Sequence, residues 1–513
     1  MIISLSLFIG FLLYWQAMKQ AQLQHSAELP DTARFDALEH WIIVVREPGT
    51  KGQWPSFPYH DILQKRYKRL RRDGDDSTPL LLTDLPNDKA GRVALSTVKP
   101  DLSSFELLTL ARKLADGHDD YQATELGIAV IGFSAKKSAR VAEALLAAAL
   151  AADAEMPDYH SKDKKGARLE RIHLYGVPDK YGFERTFAED EGNALARYLT
   201  ALPHNELTPA LYRKRIAQLA REYGWKSQFF SIAQLEKKKA GAFLAVAQGS
   251  PEKDGGILRL RYTPDGPASD NTLALVGKGI CFDTGGVNLK PHNYMMGMHE
   301  DMEGSAVALG ALAALTRLKT PFPVECWLAI CTNHIGPDAY NPGDIVTALD
   351  GTTIEVVHTD AEGRMVLADT LTLASRNKPK LIMDYATLTG ACVYAVGKAY
   401  SGVFTNQQEF LPRMVKAGVD SGERVWPFPM DEDYDEALES KFADTKQCSS
   451  DPGVDHILGA RFLQRFVKHD CPWIHVDLSA GNNKGGLAHI PTDTTGFGVR
   501  FTLNLLLDQK VMK

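Results

Sequence analysis

Cysteine is scarce in this chain. Six occur among 513 residues, at Cys281, Cys326, Cys331, Cys392, Cys448 and Cys471, mostly inside apolar runs and never as a Cys-x-x-Cys pair. That excludes a disulfide framework and reads as reduced core thiols in a cytosolic protein. An excess of one charge is also lacking. Lys and Arg number 58 against 64 Asp and Glu, a net charge of −6, which argues against binding nucleic acid through its phosphates. The run Arg66-Tyr67-Lys68-Arg69-Leu70-Arg71-Arg72 is a local exception, read as the solvated face of a short helix. No apolar run reaches the ~20 residues of a membrane helix. The longest, Ile2 to Trp15, has no basic residue before it and no small-residue cleavage site after it, so residues 1–17 read as an over-extended start ahead of Met18. An export signal or anchor is the competing reading, and no stable membrane association is expected. Also missing are a P-loop, an internal repeat and a dinucleotide fingerprint, since Gly277-Lys278-Gly279 lacks the third glycine and the downstream ribose acid.

What remains has the composition of a globular protein, 44% hydrophobic and 24% charged, long enough for two or more domains. From Leu29 to Phe187, strand-like runs (Trp41 to Val45, Leu80 to Leu82, Leu126 to Phe133) alternate with helical ones such as Arg140 to Ala152. This alternation predicts a small parallel α/β domain over residues 18–187. Ala188 to Leu202 reads as a joining helix. A larger α/β domain over 188–513 is expected to carry a mixed central sheet, with strands at 243–247, 273–276, 324–330, 381–385 and 473–477. Helices are expected at Gly304 to Leu318 and Met365 to Ser375.

The chemistry is concentrated in that second half. His358-Thr359-Asp360-Ala361-Glu362-Gly363-Arg364 stands between the strand-like Ile354-Glu355-Val356-Val357 and an apolar helical pattern. At the carboxyl end of a strand in an open α/β sheet, that is where ligands bind; the plainer reading is an acidic first turn favoured by the helix dipole. Upstream, the buried-strand run Thr272 to Val276 leads into Gly277-Lys278-Gly279-Ile280-Cys281-Phe282-Asp283-Thr284-Gly285-Gly286. A lysine between glycines and an aspartate after a phenylalanine are poor surface positions, and buried charges need partners or metals. Lys278, Asp283, Asp301, Asp360 and Glu362 together suit two divalent cations. Oxygen ligands favour magnesium, manganese or zinc, and lysine ligates only as the neutral amine. His292, His299, His334 and His358 read as structural hydrogen-bonding groups rather than ligands, and Cys281 as a buried, inert thiol.

The segments VGKGICFDTGG at 276–286, Lys290, Asp301, HTDAEGR at 358–364 and DYATLTGA at 384–391 resemble the leucyl aminopeptidase (cytosol aminopeptidase) family of di-metal exopeptidases. The similarity runs over roughly residues 190–513, with motif order and spacing in register. It implies that Asp283 and Glu362 bridge two metals (manganese or zinc), that Lys278 and Asp301 complete one site, and that Asp360 completes the other. Lys290 and Arg364 would be the catalytic residues that do not ligate, Lys290 at a developing oxyanion and Arg364 holding a bicarbonate. Thr387, Leu388 and Gly390 would line the substrate cleft. Peptide substrates, a homohexamer and a cytoplasmic location are further implications. The chain departs from the family pattern at His358 (Asn is usual), Met365 (Leu is usual), Glu303 (a small residue is usual) and over Asp477 to Gly486. None of these removes a ligand, so an active enzyme is favoured over an inactive protein of the same fold.

Overall fold

Residues 20–48, 53–70, 79–99, 101–118, 124–161, 168–266, 271–451 and 453–512 are described by the computed structural model. The apolar leader over 1–17 lies outside them, as do Arg71 and Arg72. The rest of the basic run sits on a helix, His60–Leu70, that buries Leu63 and Tyr67 and exposes Lys68 and Arg69. The chain divides into two compact units. One takes in the described residues up to Asp190 together with Gly485–Asp493, and the other runs Glu191–Lys484 and onward from Thr494.

In the amino-terminal unit, β1 (Gln22–Ser26), β2 (His40–Arg46), β3 (Leu81–Asp84), β4 (Arg92–Val98), β5 (Glu125–Ile131) and β6 (Arg171–Tyr175) form one sheet in the order β1-β6-β5-β2-β4-β3. All neighbours are parallel except β3, an antiparallel edge on β4. Side chains alternate between the faces of a strand, and β2 uses both. Ile42 and Val44 join a core with Leu107, Leu108 and Leu114 of α1 (Ser104–Asp116) and with Leu145 and Leu146 of α2 (Ala135–Asp153). Trp41, Ile43 and Val45 join another with Phe35, Trp54 and Tyr67. A capping box between Ser103 and Glu106 starts α1.

Helix α3 (Glu184–Ala201) leads into the second unit. There β7 (Lys226–Ser231) and β8 (Gly256–Tyr262) are an antiparallel pair beside the long β9 (Leu273–Asp283) and β10 (Val324–Asn333). With β13 (Leu381–Ala386), β14 (Ser401–Thr405), β15 (Val425–Pro427) and β17 (Trp473–Asp477) they give an eight-stranded mixed sheet, order β15-β14-β17-β13-β9-β10-β8-β7. Its middle, β17-β13-β9-β10, is parallel. Two sequence expectations fail here. Residues 243–247 belong to helix α4 (Gly241–Ala247), not to a strand. A five-residue apolar run has no period to distinguish the two, and this one is buried almost all round. The strand before His358 is only β12 (Thr353–Glu355), which pairs with β11 (Ile345–Thr347) and β16 (Thr445–Lys446) in a separate small sheet.

Helices α5 (Glu303–Arg317) and α6 (Glu362–Ser375) are buried nearly throughout. Two glycines let α5 press its first turn onto the sheet. A Cβ at Gly304 would lie 2.2 Å from the Tyr385 carbonyl oxygen, and one at Gly277 would lie 2.4 Å from the Ser305 Cα. Further on come α7 (Gly390–Val396) and α8 (Asp455–Gln464).

Candidate active site

Lys278 and Asp283 are five residues apart on β9, an odd spacing that puts side chains on opposite faces of a regular strand. The pairing with β10 removes that problem. Cys331 faces Ile280, but two residues on Asn333 faces Asp283, so β9 carries one extra residue, a bulge, in between. The bulge returns Asp283 to the face that Lys278 uses. Asp301 arrives on the 3-10 turn Met298–Met302 that leads into α5, Glu362 is the first residue of α6, and Thr387 follows β13.

All three meet at the Lys278 ammonium. Its Nζ lies 2.9 Å from Asp301 Oδ1, 2.9 Å from Glu362 Oε1 and 2.9 Å from the Thr387 carbonyl. Gly363 makes the room, since a Cβ there would come within 2.7 Å of the Lys278 Cε. Lys290 pairs with Asp283 at 2.8 Å and also with Asp360. Asp283 Oδ1 accepts from Asn333 Nδ2 and from the Gly285 N–H, both at 2.8 Å. Thus Lys278, Asp283, Lys290, Asp301, Asp360 and Glu362, spread over 85 positions of sequence, line one cavity of about 880 Å³.

Four carboxylates face two ammonium groups here, and the surplus negative charge is felt. Burial pushes the Asp301 carboxyl up to about 8, opposed by Lys278 and reinforced by Glu362 and Asp283. Burial, with Asp283 and Glu362 behind it, pushes Asp360 up to about 7. For Lys278 and Lys290 burial acts downward, but the surrounding carboxylates outweigh it and hold both ammonium groups in the charged form. Asp301 Oδ2 and Glu362 Oε2 are buried with no hydrogen-bond partner. Leaving a buried carboxylate oxygen unpaired costs free energy, and a cation is what would recover it. Asp283, Asp301 and Glu362 each offer a ligand atom within 4.8 Å of the others, so the donor set fits a metal. A dication held by those carboxylates would oppose the charge on Lys278, and only the neutral amine could then join the ligands.

The remaining expected residues stand around this centre. Thr387 donates from Oγ1 to Asp301 Oδ1 at 2.7 Å. The Leu388 N–H is given to Asp477 Oδ1 at 3.1 Å. Gly390 opens α7 on the exposed side of the cavity, with nothing within 4 Å of where a Cβ would be. Arg364, 1% exposed, donates from Nη2 to Asp455 Oδ2 at 2.7 Å and from Nη1 to the Gln447 carbonyl at 3.2 Å. None of His292, His299, His334 and His358 belongs to the carboxylate group among the described residues. His358 instead accepts the Asp360 N–H at Nδ1. Cys281 is fully buried and burial raises its thiol well above the ordinary range, which makes it inert. Glu303 lies 2% exposed on the cavity wall with Oε1 unpartnered, beneath Gly481, where a Cβ would strike its Oε2 at 2.0 Å.

Sequence reasoning misses Asp477 and Asp455. The first had a signal: an acid closing the apolar strand β17, as Asp283 closes β9. The second had none, because Asp455 meets Arg364 across 91 residues with no motif around it.

Comparison with known proteins agrees with the geometry. Residues 194–503 match the family model described as cytosol aminopeptidase family, catalytic domain. A probable cytosol aminopeptidase of Syntrophotalea carbinolica is 43% identical over 324 residues, 63% of this chain and 64% of that protein. Another from Parasynechococcus marenigrum is 38% identical over 445 residues, covering 84% and 89%. A third from Stutzerimonas stutzeri is 36% identical over 87% and 91%. Among solved structures, a variant of tomato leucine aminopeptidase superposes with a TM-score of 0.82 at 26% identity, covering 96% of this chain and 99% of that one.

Proposed function

This chain belongs to the cytosol aminopeptidase family, and on that premise we propose that it is a metalloaminopeptidase removing the amino-terminal residue from peptides with two divalent metal ions. The observation that carries the metal assignment is the buried group Asp283, Asp301 and Glu362, with unpartnered oxygens on the last two, inside the matched region. Asp283 and Glu362 would bridge the ions, Lys278 and Asp301 would complete one site, and Asp360 the other, with manganese or zinc as the ions. Bound there, they would supply Lewis acidity, acidifying a water and polarising the scissile carbonyl.

The chain's own groups do the rest. Lys290, on the cavity wall with a side chain 13% exposed, directs its ammonium at the developing oxyanion, an effect typically of about 3–4 kcal/mol. Arg364 cannot give up its proton and so acts by holding an anion. Thr387 steadies Asp301 through its hydroxyl, while Leu388 and Gly390 border the substrate on the open side. A cytoplasmic homohexamer completes the reading, supported by family membership. No helix among the described residues is long and apolar enough to cross a membrane. Sedimentation checks the assembly, and a mass near one 56.5 kDa chain would overturn it. The activity is tested by release assays over aminoacyl arylamides after chelation and metal restoration. Hydrolysis restored by manganese or zinc supports the reading, and an inert metal-loaded protein refutes it.

A further inference from the structure

The guanidinium of Arg364 already holds an anion that belongs to the chain. Asp455 places Oδ2 2.7 Å from Arg364 Nη2, and the Gln447 carbonyl takes Nη1 at 3.2 Å. Asp455 is the first residue of α8, a ten-residue helix whose amino-terminal end favours a negative charge. One turn on, Gly459 leaves space beside the pair, since a Cβ there would come within 3.5 Å of Arg364 Nη2 and 3.1 Å of Leu388 Cδ2. The Asp455 side chain keeps 24% exposure and lines the same cavity as Lys278, Asp301 and Glu362. A bicarbonate arriving at Arg364 would find only Nε without a partner, on a guanidinium whose charge is already balanced, and a carboxylate of its own sign beside it. The residues therefore do not fit the external anion that the family resemblance implies.

We propose that Asp455 is the resident proton acceptor of this enzyme and takes the place of bicarbonate at Arg364. This rests on the aminopeptidase reading. As an O–H bond of the attacking water breaks, the proton goes to Asp455 and the oxygen's electron pair forms the bond to the scissile carbonyl carbon. The same proton then passes to the leaving amine nitrogen as the carbon–nitrogen bond breaks. Arg364 keeps Asp455 oriented for both transfers.

The test uses the metal-loaded full chain in buffer purged of carbon dioxide, with leucine p-nitroanilide as substrate. Wild-type activity should change by less than about twofold when bicarbonate is added. Asp455→Ala should lose about a hundredfold in kcat, the lower range for general base catalysis, and regain about tenfold on adding bicarbonate or formate. Asp455→Asn, which keeps the shape, should show the same loss, while Asp455→Glu keeps most activity. Independently of turnover, bicarbonate should raise the melting temperature of Asp455→Ala and leave the wild type unmoved. A wild type that needs bicarbonate for activity, equal bicarbonate-induced shifts in both proteins, or full activity in Asp455→Asn would each overturn the proposal. An inactive wild type would refute the aminopeptidase reading instead, and the melting contrast would still decide whether Asp455 fills the anion place.

Discussion

The two units are built alike, each a sheet with parallel strands at its centre and helices packed on it, yet they treat buried polarity in opposite ways. In β2 of the amino-terminal unit, the buried stretch Trp41 to Val45 is wholly apolar. The polar pair buried at its start, His40 and His118, sits Nδ1 to Nδ1 at 3.2 Å, and burial keeps both rings towards neutrality. In β9 of the second unit a lysine and an aspartate interrupt an equally buried strand, and charges from three other segments converge on them. Hydrophobic residues of similar volume are often as stable as a buried ion pair or more so. A strand that keeps charges where its counterpart keeps Ile and Val is arranged for chemistry, and stability is the property it gives up.

That contrast can be broken in either unit. The largest effect is expected from Glu362→Gln or Asp283→Asn, which remove an oxygen that would serve both ions. Losing several kcal/mol of metal catalysis means about a thousandfold or more in kcat, with less metal retained. Asp301→Asn should cost less, and elemental analysis with kinetics decides the order. Trp41→Ala should do the reverse. It removes a fully buried ring stacked on Phe35 at 4.0 Å, and should cost about 3–5 kcal/mol in denaturant unfolding with the specific activity of the folded protein unchanged.

Next comes Lys290→Ala, expected to lower kcat by about a hundred- to a thousandfold with metal content intact. Lys278→Ala should instead deplete the metal, and equal depletion in both would mean that the two lysines do not divide the work as described. The smallest effect is one of pH on the amino-terminal unit. Burial first, and the neighbouring His40 second, lower His118 from 6.5 to about 4. The unfolded chain therefore binds the proton more readily between those values, and stability falls as pH drops through that window. The His118 share of the loss is about 2 kcal/mol by pH 5 and about 3 kcal/mol below pH 4. Unfolding curves for wild type and His118→Gln at pH 7 and pH 5 measure it, and parallel pH dependence in both would remove His118 as the cause.

Much of the site was legible because a charge inside an apolar strand has few cheap explanations. Lys278 and Asp283 stand out on that ground alone, and Asp360 and Glu362 by their place at the head of a buried helix. The geometry joining them was not. An odd spacing on β9 argues that Lys278 and Asp283 part company, and only the register with β10 reveals the bulge that reunites them. The same dependence on tertiary pairing hid the helix at Gly241–Ala247 and the separate small sheet that holds the strand before His358. Asp455 was invisible for a simpler reason, that its significance lies wholly in Arg364, 91 residues away.

Counting metal against activity addresses the carboxylate centre most directly. Chelated and dialysed protein is titrated with manganese or zinc, and bound metal per chain is measured by elemental analysis at each point alongside hydrolysis of leucine p-nitroanilide. Activity should approach its plateau only as the second ion binds, and Glu362→Gln should fail to reach it at any metal concentration. Full activity at one ion per chain, or in the metal-free protein, would contradict a two-metal centre built on Asp283, Asp301 and Glu362.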